Sequence, residues 1–418
     1  MKSRMLLFLA ATAFVLYIFS CAAFAQDDYS AWQNRHEHQG PDVDVEQAMA
    51  ESAAGLTVPL WSRGVLTFSV YQTNGRHGRY TCDGRRPCQF RKLILMGRAP
   101  QTPGPPPDNV TRIPTRIIPL KFQLLAEDGT VMFTFDPTEN LDGCTPGTTP
   151  LNLARQSPLF VDTVIQPPYW NIFYDHPLQA TQFVDAQMRS EFFNWMLAEN
   201  PWHNKFKPDD TIYRVTVMVP WGYWKPDDSG PGPGGCGVLG RVDGPTLDLT
   251  LRKEILEKLP GLVQSFVVFL TSNVIEYDSK KDDFLGYHDA FGNPPQIYAV
   301  APFDTTRRYQ MLDVNVLTHE LGEAMNNPLV STQGNSTPPW WNGSECQGNF
   351  EVGDPNDLLT RDHQVTNMTN GFTYHLQELA FAGWFYRIAN LGIADPGRAE
   401  PYSTNGTFRT DAGTRCVP

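Results

Sequence analysis

Apolar residues recur most clearly at helical spacing late in the chain. Val314, Leu317, Leu321 and Met325 fall three and four residues apart, and two weak helix formers, Asn326 and Asn327, precede Pro328. The pattern predicts a helix over 314–326. Upstream, β-branched and aromatic runs predict strands at 65–71 and 90–96, on either side of a cysteine loop, and a hairpin of 116–125 with 130–135 around Glu127-Asp128-Gly129. Residues 179–199 read as a helix with Phe183, Met188, Phe192 and Met196 facing inward and Pro201 closing it. Residues 212–219 alternate as a strand, 230–237 form a Gly/Pro-rich loop, and 251–259 suit a short helix. Short apolar strands follow at 266–270 and 296–300, and the chain contains no internal repeat.

This order predicts an α+β fold: a twisted mixed sheet with a backing helix and a functional helix beneath it, as in zincin-like metalloprotease domains. The expected organisation is a signal peptide at 1–25, a disordered leader at 26–55, an N-terminal β extension at 56–102 and the zincin-like domain at 108–418. The stiff segment Pro103-Gly104-Pro105-Pro106-Pro107 marks the boundary between the last two.

On the 314–326 helix, His319 and Glu323 lie one turn apart on one face, with Glu320 beside them. This is the H-E-x-x-H zinc signature with its second histidine replaced by glutamate. Two ligands from one turn suit a metal ion, and the adjacent carboxylate suits a general base. A third ligand is needed. Glu351 is the first candidate and Asp354 the second, one binding and the other orienting His319. His288, just ahead of the 296–300 strand, is a further ligand or an oxyanion donor. One imidazole with two carboxylates would leave Zn²⁺ near zero net charge and acidify water less than the usual set. That predicts slower hydrolysis, compensation by His288, or a harder ion such as Mn²⁺ or Ca²⁺.

Composition adjusts the picture. The 418 residues, 41% of them apolar, are enough for a large core, and the net charge of −12 disfavours nucleic acid and anionic membrane surfaces. Lys2 and Arg4, the apolar run 5–20 and Ala23-Phe24-Ala25 read as a cleaved secretory leader, so a secreted, extracellular or periplasmic location is expected, with no membrane contact after cleavage. Six cysteines then remain: Cys82, Cys88, Cys144, Cys236, Cys346 and Cys416. An even count implies disulfides, and Cys82 with Cys88 is the one pair singled out by proximity.

Three blocks resemble the secreted exordium-like, or phosphate-induced, proteins of plants and their bacterial relatives. Gly286-Tyr287-His288 resembles the family's G-[FY]-H. His319-Glu320-Leu321-Gly322-Glu323, with Asn327-Pro328-Leu329-Val330 after it, resembles H-E-L-A-E and N-P-L-V. Glu351-Val352-Gly353-Asp354 resembles E-[IV]-[AG]-D. The likeness covers about residues 260–385 and implies a secreted zincin-like protein with a metal site but no particular substrate. The chain lacks the plant proteins' cysteines near the first and third blocks, so a different disulfide arrangement is implied.

The resulting expectation is a metal-dependent hydrolase of peptide or related amide bonds, acting on a peptide or extracellular polymer. Zn²⁺ is held by His319, Glu323 and Glu351; Glu320 is the base, His288 stabilises the oxyanion and Asp354 orients a ligand. The competing expectation is a non-catalytic extracellular binding or structural module with a structural or vestigial metal. His375 reads as structural, His363 as a loop residue, and His176 and His203 as turn residues. His36 and His38 read as part of a solvated leader, and Trp340 and Trp341 as packing anchors or a groove lining.

Overall fold

The computed structural model describes residues 43–67, 89–100, 109–164, 180–192, 202–259, 261–278, 283–330, 340–341, 346–347, 352–353 and 363–379, apart from 142, 228 and 378. The fold is α+β, built on a seven-stranded mixed sheet. Tyr287–Phe291 lies at one edge, antiparallel to Gln296–Phe303. Gln296–Phe303 runs parallel to Phe266–Ser272, which runs parallel to the 16-residue strand Val110–Leu125. That long strand pairs in parallel with His203–Pro208 along its first half and with Val215–Val219 along its second, and antiparallel with Val131–Phe135.

Both faces of the sheet are covered, and the strand residues sort accordingly. In the fully buried strand Phe266–Ser272, Val268 and Leu270 join a core with Leu317, Leu321 and Met325 of the helix Asn315–Asn326 and with Phe183 and Met188 of the helix Phe183–Glu191. Val267 and Phe269 point the other way, into a core with Leu247, Leu251 and Ile255. The period of two along a strand produces this split. A smaller four-stranded sheet runs from Asp283–Phe284 through Val274–Tyr277 and Gly240–Asp243 to Trp224–Pro226. Among the described residues no helix is long and apolar enough to cross a membrane.

Several elements differ from expectation. Part of the expected disordered leader is a helix, Val45–Ala53. Asp44 caps it by accepting from the Glu46 and Gln47 amides, and Val45 and Ala48 are buried in the main core. The N-terminal β residues form the hairpin Leu60–Thr67 with Gln89–Met96, and Trp61, Ile94, Leu95 and Met96 belong to the same core as the functional helix. The helix expected at 251–259 starts earlier: Gly244–Thr250, capped by Asp243, runs into a π-helical turn at Leu251–Leu256. The backing helix starts at Phe183, because the Gln182 side chain bonds sideways to the Phe160 and Phe206 backbone. His203 opens a strand instead of sitting in a turn, and its Nδ1 lies 2.7 Å from buried Asp185. His363 likewise begins the strand His363–Thr366.

Cys144 and Cys236 form a disulfide across 92 residues of sequence, a pairing no local spacing signals. Residues 1–25, Cys82, Cys88, the 103–107 linker, His36, His38 and His176 lie outside the described residues.

Candidate metal centre

The functional helix forms as its apolar period requires. Its C-terminal cap is Asn327, directly before the helix-terminating Pro328. Docked under the sheet, it brings Glu320 and Glu323 beneath the edge strand Tyr287–Phe291, whose pairing with Gln296–Phe303 fixes the position of His288. His288, Glu320 and Glu323 each offer a ligand atom, all lie within 4.8 Å of one another, and together they could hold a metal ion. Their side chains are only 1%, 3% and 2% exposed, against 14% for His319.

Each carboxylate lies between the two imidazoles. His288 Nδ1 is 3.6 Å from Glu320 Oε2 and 3.5 Å from Glu323 Oε2. His319 Nε2 is 3.0 Å from Glu323 Oε1 and 4.0 Å from Glu320 Oε1. Ligands bound tetrahedrally at about 2.0–2.1 Å stand roughly 3.3–3.4 Å apart, and the shorter His–Glu separations bracket that value, while His319 stands outside the group of three whose ligand atoms all lie within 4.8 Å of one another.

The hydrogen bonds around the two rings decide which nitrogens face inward. His288 Nε2 is 3.1 Å from the carbonyl of Asn327, which only accepts, so Nε2 carries a hydrogen. Gln377 Nε2 donates to the Gly353 carbonyl at 3.0 Å, so its Oε1 must face His319 Nδ1, 2.8 Å away, and Nδ1 carries the hydrogen. In their neutral forms both imidazoles therefore turn lone pairs toward two carboxylates. Acceptors meeting acceptors in a buried space call for a proton or a cation between them.

Burial opposes ionisation of both glutamates, with different outcomes. At Glu323 the charge of His319 and hydrogen bonds from His288 and His319 outweigh burial and hold the carboxyl at about 2. The Gly353 amide also donates to Glu323 Oε1 at 3.1 Å. At Glu320 burial prevails over its His288 hydrogen bond and His319's charge, and Glu323's charge adds to it, so the carboxyl is raised. Nearby Glu276 is held uncharged: it is fully buried, neither of its oxygens has a hydrogen-bond partner among the described residues, and burial and then Glu320's charge raise it well above the usual range.

These opposite shifts have opposite effects on the stability of the metal-free protein. Glu323, lowered in the fold, contributes stability that is present above about pH 4.5 and lost as pH falls toward 2. Glu320, raised in the fold, ionises first in the unfolded chain, so its burial costs stability as pH rises above about 4.5. Glu320→Gln is therefore expected to raise the melting temperature of metal-free protein at pH 7 and to raise it less at pH 4. Calorimetry showing a larger gain at pH 4 would contradict this account.

Glu351 and Asp354 lie outside the described residues. Their block still reaches the site through its backbone, because the Gly353 amide holds Glu323 and the Gly353 carbonyl holds Gln377. His319 Nδ1 is met by Gln377, a residue with no metal-site signature in the sequence. His288, expected as a ligand or an oxyanion donor, is buried in the ligand group with Nε2 engaged by a backbone carbonyl. Glu320, expected only as a base, also lies within ligand range. Gly286 of the first block has a steric reason: a Cβ there would stand 2.8 Å from both Glu320 Oε1 and the Val300 carbonyl. Comparison with known protein families, with curated proteins and with solved structures found no match.

Proposed function

We propose that this chain is a secreted, zincin-like, metal-dependent hydrolase of peptide or related amide bonds, akin to the exordium-like proteins. The observation that carries the proposal is the convergence of two imidazole lone pairs on two buried carboxylates. In this reading His288 Nδ1, His319 Nε2 and Glu323 hold the ion, and Glu320 is the base. His288, arriving from the sheet edge, supplies the second imidazole that the H-E-x-x-E helix lacks. The set becomes two imidazoles and one carboxylate, leaving Zn²⁺ with about +1 instead of near zero. That favours Zn²⁺ over Mn²⁺ or Ca²⁺.

A bound divalent ion would polarise a substrate carbonyl and acidify a water. Glu323, anchored by the Gly353 amide, stays anionic and positions itself against both rings. Glu320, on the same helical turn, receives the proton from the attacking water and passes it to the leaving amine. His319, the most exposed of the four, marks the side from which a substrate arrives.

The test is Glu320→Gln in zinc-loaded protein, assayed on quenched fluorescent peptides. Turnover is expected to fall roughly 10²–10⁴-fold with zinc content unchanged. Undiminished turnover would remove Glu320 from the chemistry.

A second reading is a non-catalytic extracellular module with a structural ion. It is favoured by the 1–3% exposure of His288, Glu320 and Glu323, typical of closed structural sites. Wild-type protein that holds zinc but cleaves no peptide would select it.

A further inference from the structure

We propose that Gln377 is the positioning residue that fixes which nitrogen of His319 faces the cation, so that cation affinity is set from the C-terminal hairpin. The inference rests on the metal centre proposed above and not on hydrolysis.

Four groups close a ring. His319 Nδ1 donates to Gln377 Oε1 at 2.8 Å, and Gln377 Nε2 donates to the Gly353 carbonyl at 3.0 Å. The Gly353 amide donates to Glu323 Oε1 at 3.1 Å, which lies 3.0 Å from His319 Nε2. Every hydrogen in the ring has one direction, because the Gly353 carbonyl cannot donate and its amide cannot accept. The amide of Gln377 therefore cannot flip without placing its NH₂ against the Nδ1–H of His319. With Nδ1 occupied, Nε2 is the nitrogen left to bind an ion.

Gln377 is itself held firmly. It is 5% exposed and follows the hairpin of His363–Thr366 with Thr373–Leu376. That hairpin is pinned on two sides. Tyr374 donates its hydroxyl to the Leu153 carbonyl at 2.9 Å, and His375 Nδ1 lies 2.6 Å from Asp313, just ahead of the functional helix. Asn367 adds a bond from Nδ2 to the Gln156 carbonyl at 2.7 Å. The hairpin thus presents Gln377 to His319 as a rigid part.

The choice of an amide also has a reason. A metal-bound histidine commonly donates its other N–H to a carboxylate or a carbonyl. Here Glu320 and Glu323 already match the charge of a divalent ion. A third carboxylate beside them would leave the buried group net negative and would set an anion against the Gly353 carbonyl. A neutral acceptor orients the ring without that cost.

The experiment titrates Zn²⁺ into metal-free wild type, Gln377→Leu and Gln377→Glu against a chromophoric chelator. The imidazole N–H signals of ¹⁵N-histidine-labelled, zinc-loaded protein are recorded in parallel. Gln377→Leu is expected to weaken zinc binding roughly 10–100-fold. It should also lose the slowly exchanging Nδ1–H signal of His319. Gln377→Glu keeps an acceptor for that proton, so it is expected to restore the signal and most of the cation affinity, while the anion it sets against the Gly353 carbonyl lowers the melting temperature of the metal-free protein. A merely structural residue would lower the melting temperature of both forms while leaving the folded protein's affinity and the N–H signal unchanged. That result overturns the inference while the metal centre stands. Wild type that takes up no zinc overturns the centre itself, and this inference with it.

Discussion

His288→Ala is expected to empty the centre of zinc. The sequence alone would place the ion on His319, Glu323 and Glu351, a set that this substitution leaves intact. The structure places His288 in a buried group that could hold a metal, Nδ1 facing both carboxylates at 3.5 and 3.6 Å, and Glu351 lies outside the described residues. Losing a direct ligand should weaken zinc binding by more than the roughly 10–100-fold that an outer hydrogen-bond partner contributes. Two carboxylates would then face each other across the vacated space, which disfavours the metal-free fold as well. Metal analysis after dialysis, with circular dichroism to confirm folding, gives the answer. Folded His288→Ala that retains a full equivalent of zinc would show that His288 is not a ligand. The stabilisation that zinc confers on thermal unfolding should vanish in the same variant, since only ions bound to the folded state raise it.

Gly353→Ala should be nearly as damaging, although residue 353 offers no ligand atom. A Cβ there would stand 2.4 Å from His319 Nδ1, 2.7 Å from Cγ and 2.8 Å from Cε1. No side chain tolerates contacts that short, so the ring must move. It cannot move without leaving Gln377 on one side or Glu323 on the other. Two losses follow. Overpacking costs about 1–3 kcal/mol of stability. Tilting His319 away from Glu323 breaks the geometry that fits an ion, so zinc affinity falls well beyond what that stability change alone implies. Melting curves and zinc titrations of one preparation separate the two effects. A variant destabilised by that amount yet binding zinc like wild type would mean that the ring of His319 is not held where the structure puts it.

What was legible in the sequence follows from how local each feature is. The functional helix was readable to within a residue at its start, because its apolar period, its His319/Glu323 spacing and Pro328 all lie within one short window. The Phe266–Ser272 and Gln296–Phe303 strands were readable as apolar runs, though each extends beyond the predicted end. The Val45–Ala53 helix was missed because its core-facing residues Val45, Ala48 and Met49 span little more than one turn, too short a run to stand out in a polar stretch. His288 was recognised as a candidate, but its role was not readable. That role depends on the register Tyr287↔Val300 and on the docking of a helix about thirty residues later, neither of which leaves a local pattern. Gln377 was invisible for a different reason: glutamine in a mixed segment carries no metal-site signature, and its function comes from facing a carbonyl and an imidazole 24 and 58 residues away. The disulfide bridging Cys144 and Cys236 was equally silent, since a sequence separation of 92 gives no spacing cue.

The central claim is that two imidazoles from separate elements share one ion with a glutamate. Zinc-edge X-ray absorption of the zinc-loaded wild type addresses it directly. The account predicts a four-coordinate site with two imidazole shells at about 2.0–2.1 Å, the remaining donors being oxygen. In His288→Ala and His319→Ala, which lose their zinc on dialysis, spectra taken with stoichiometric zinc added to concentrated protein are expected to lack one imidazole shell or to show only unbound zinc. A wild-type spectrum with a single imidazole and otherwise oxygen donors, unchanged by His288→Ala, would contradict it.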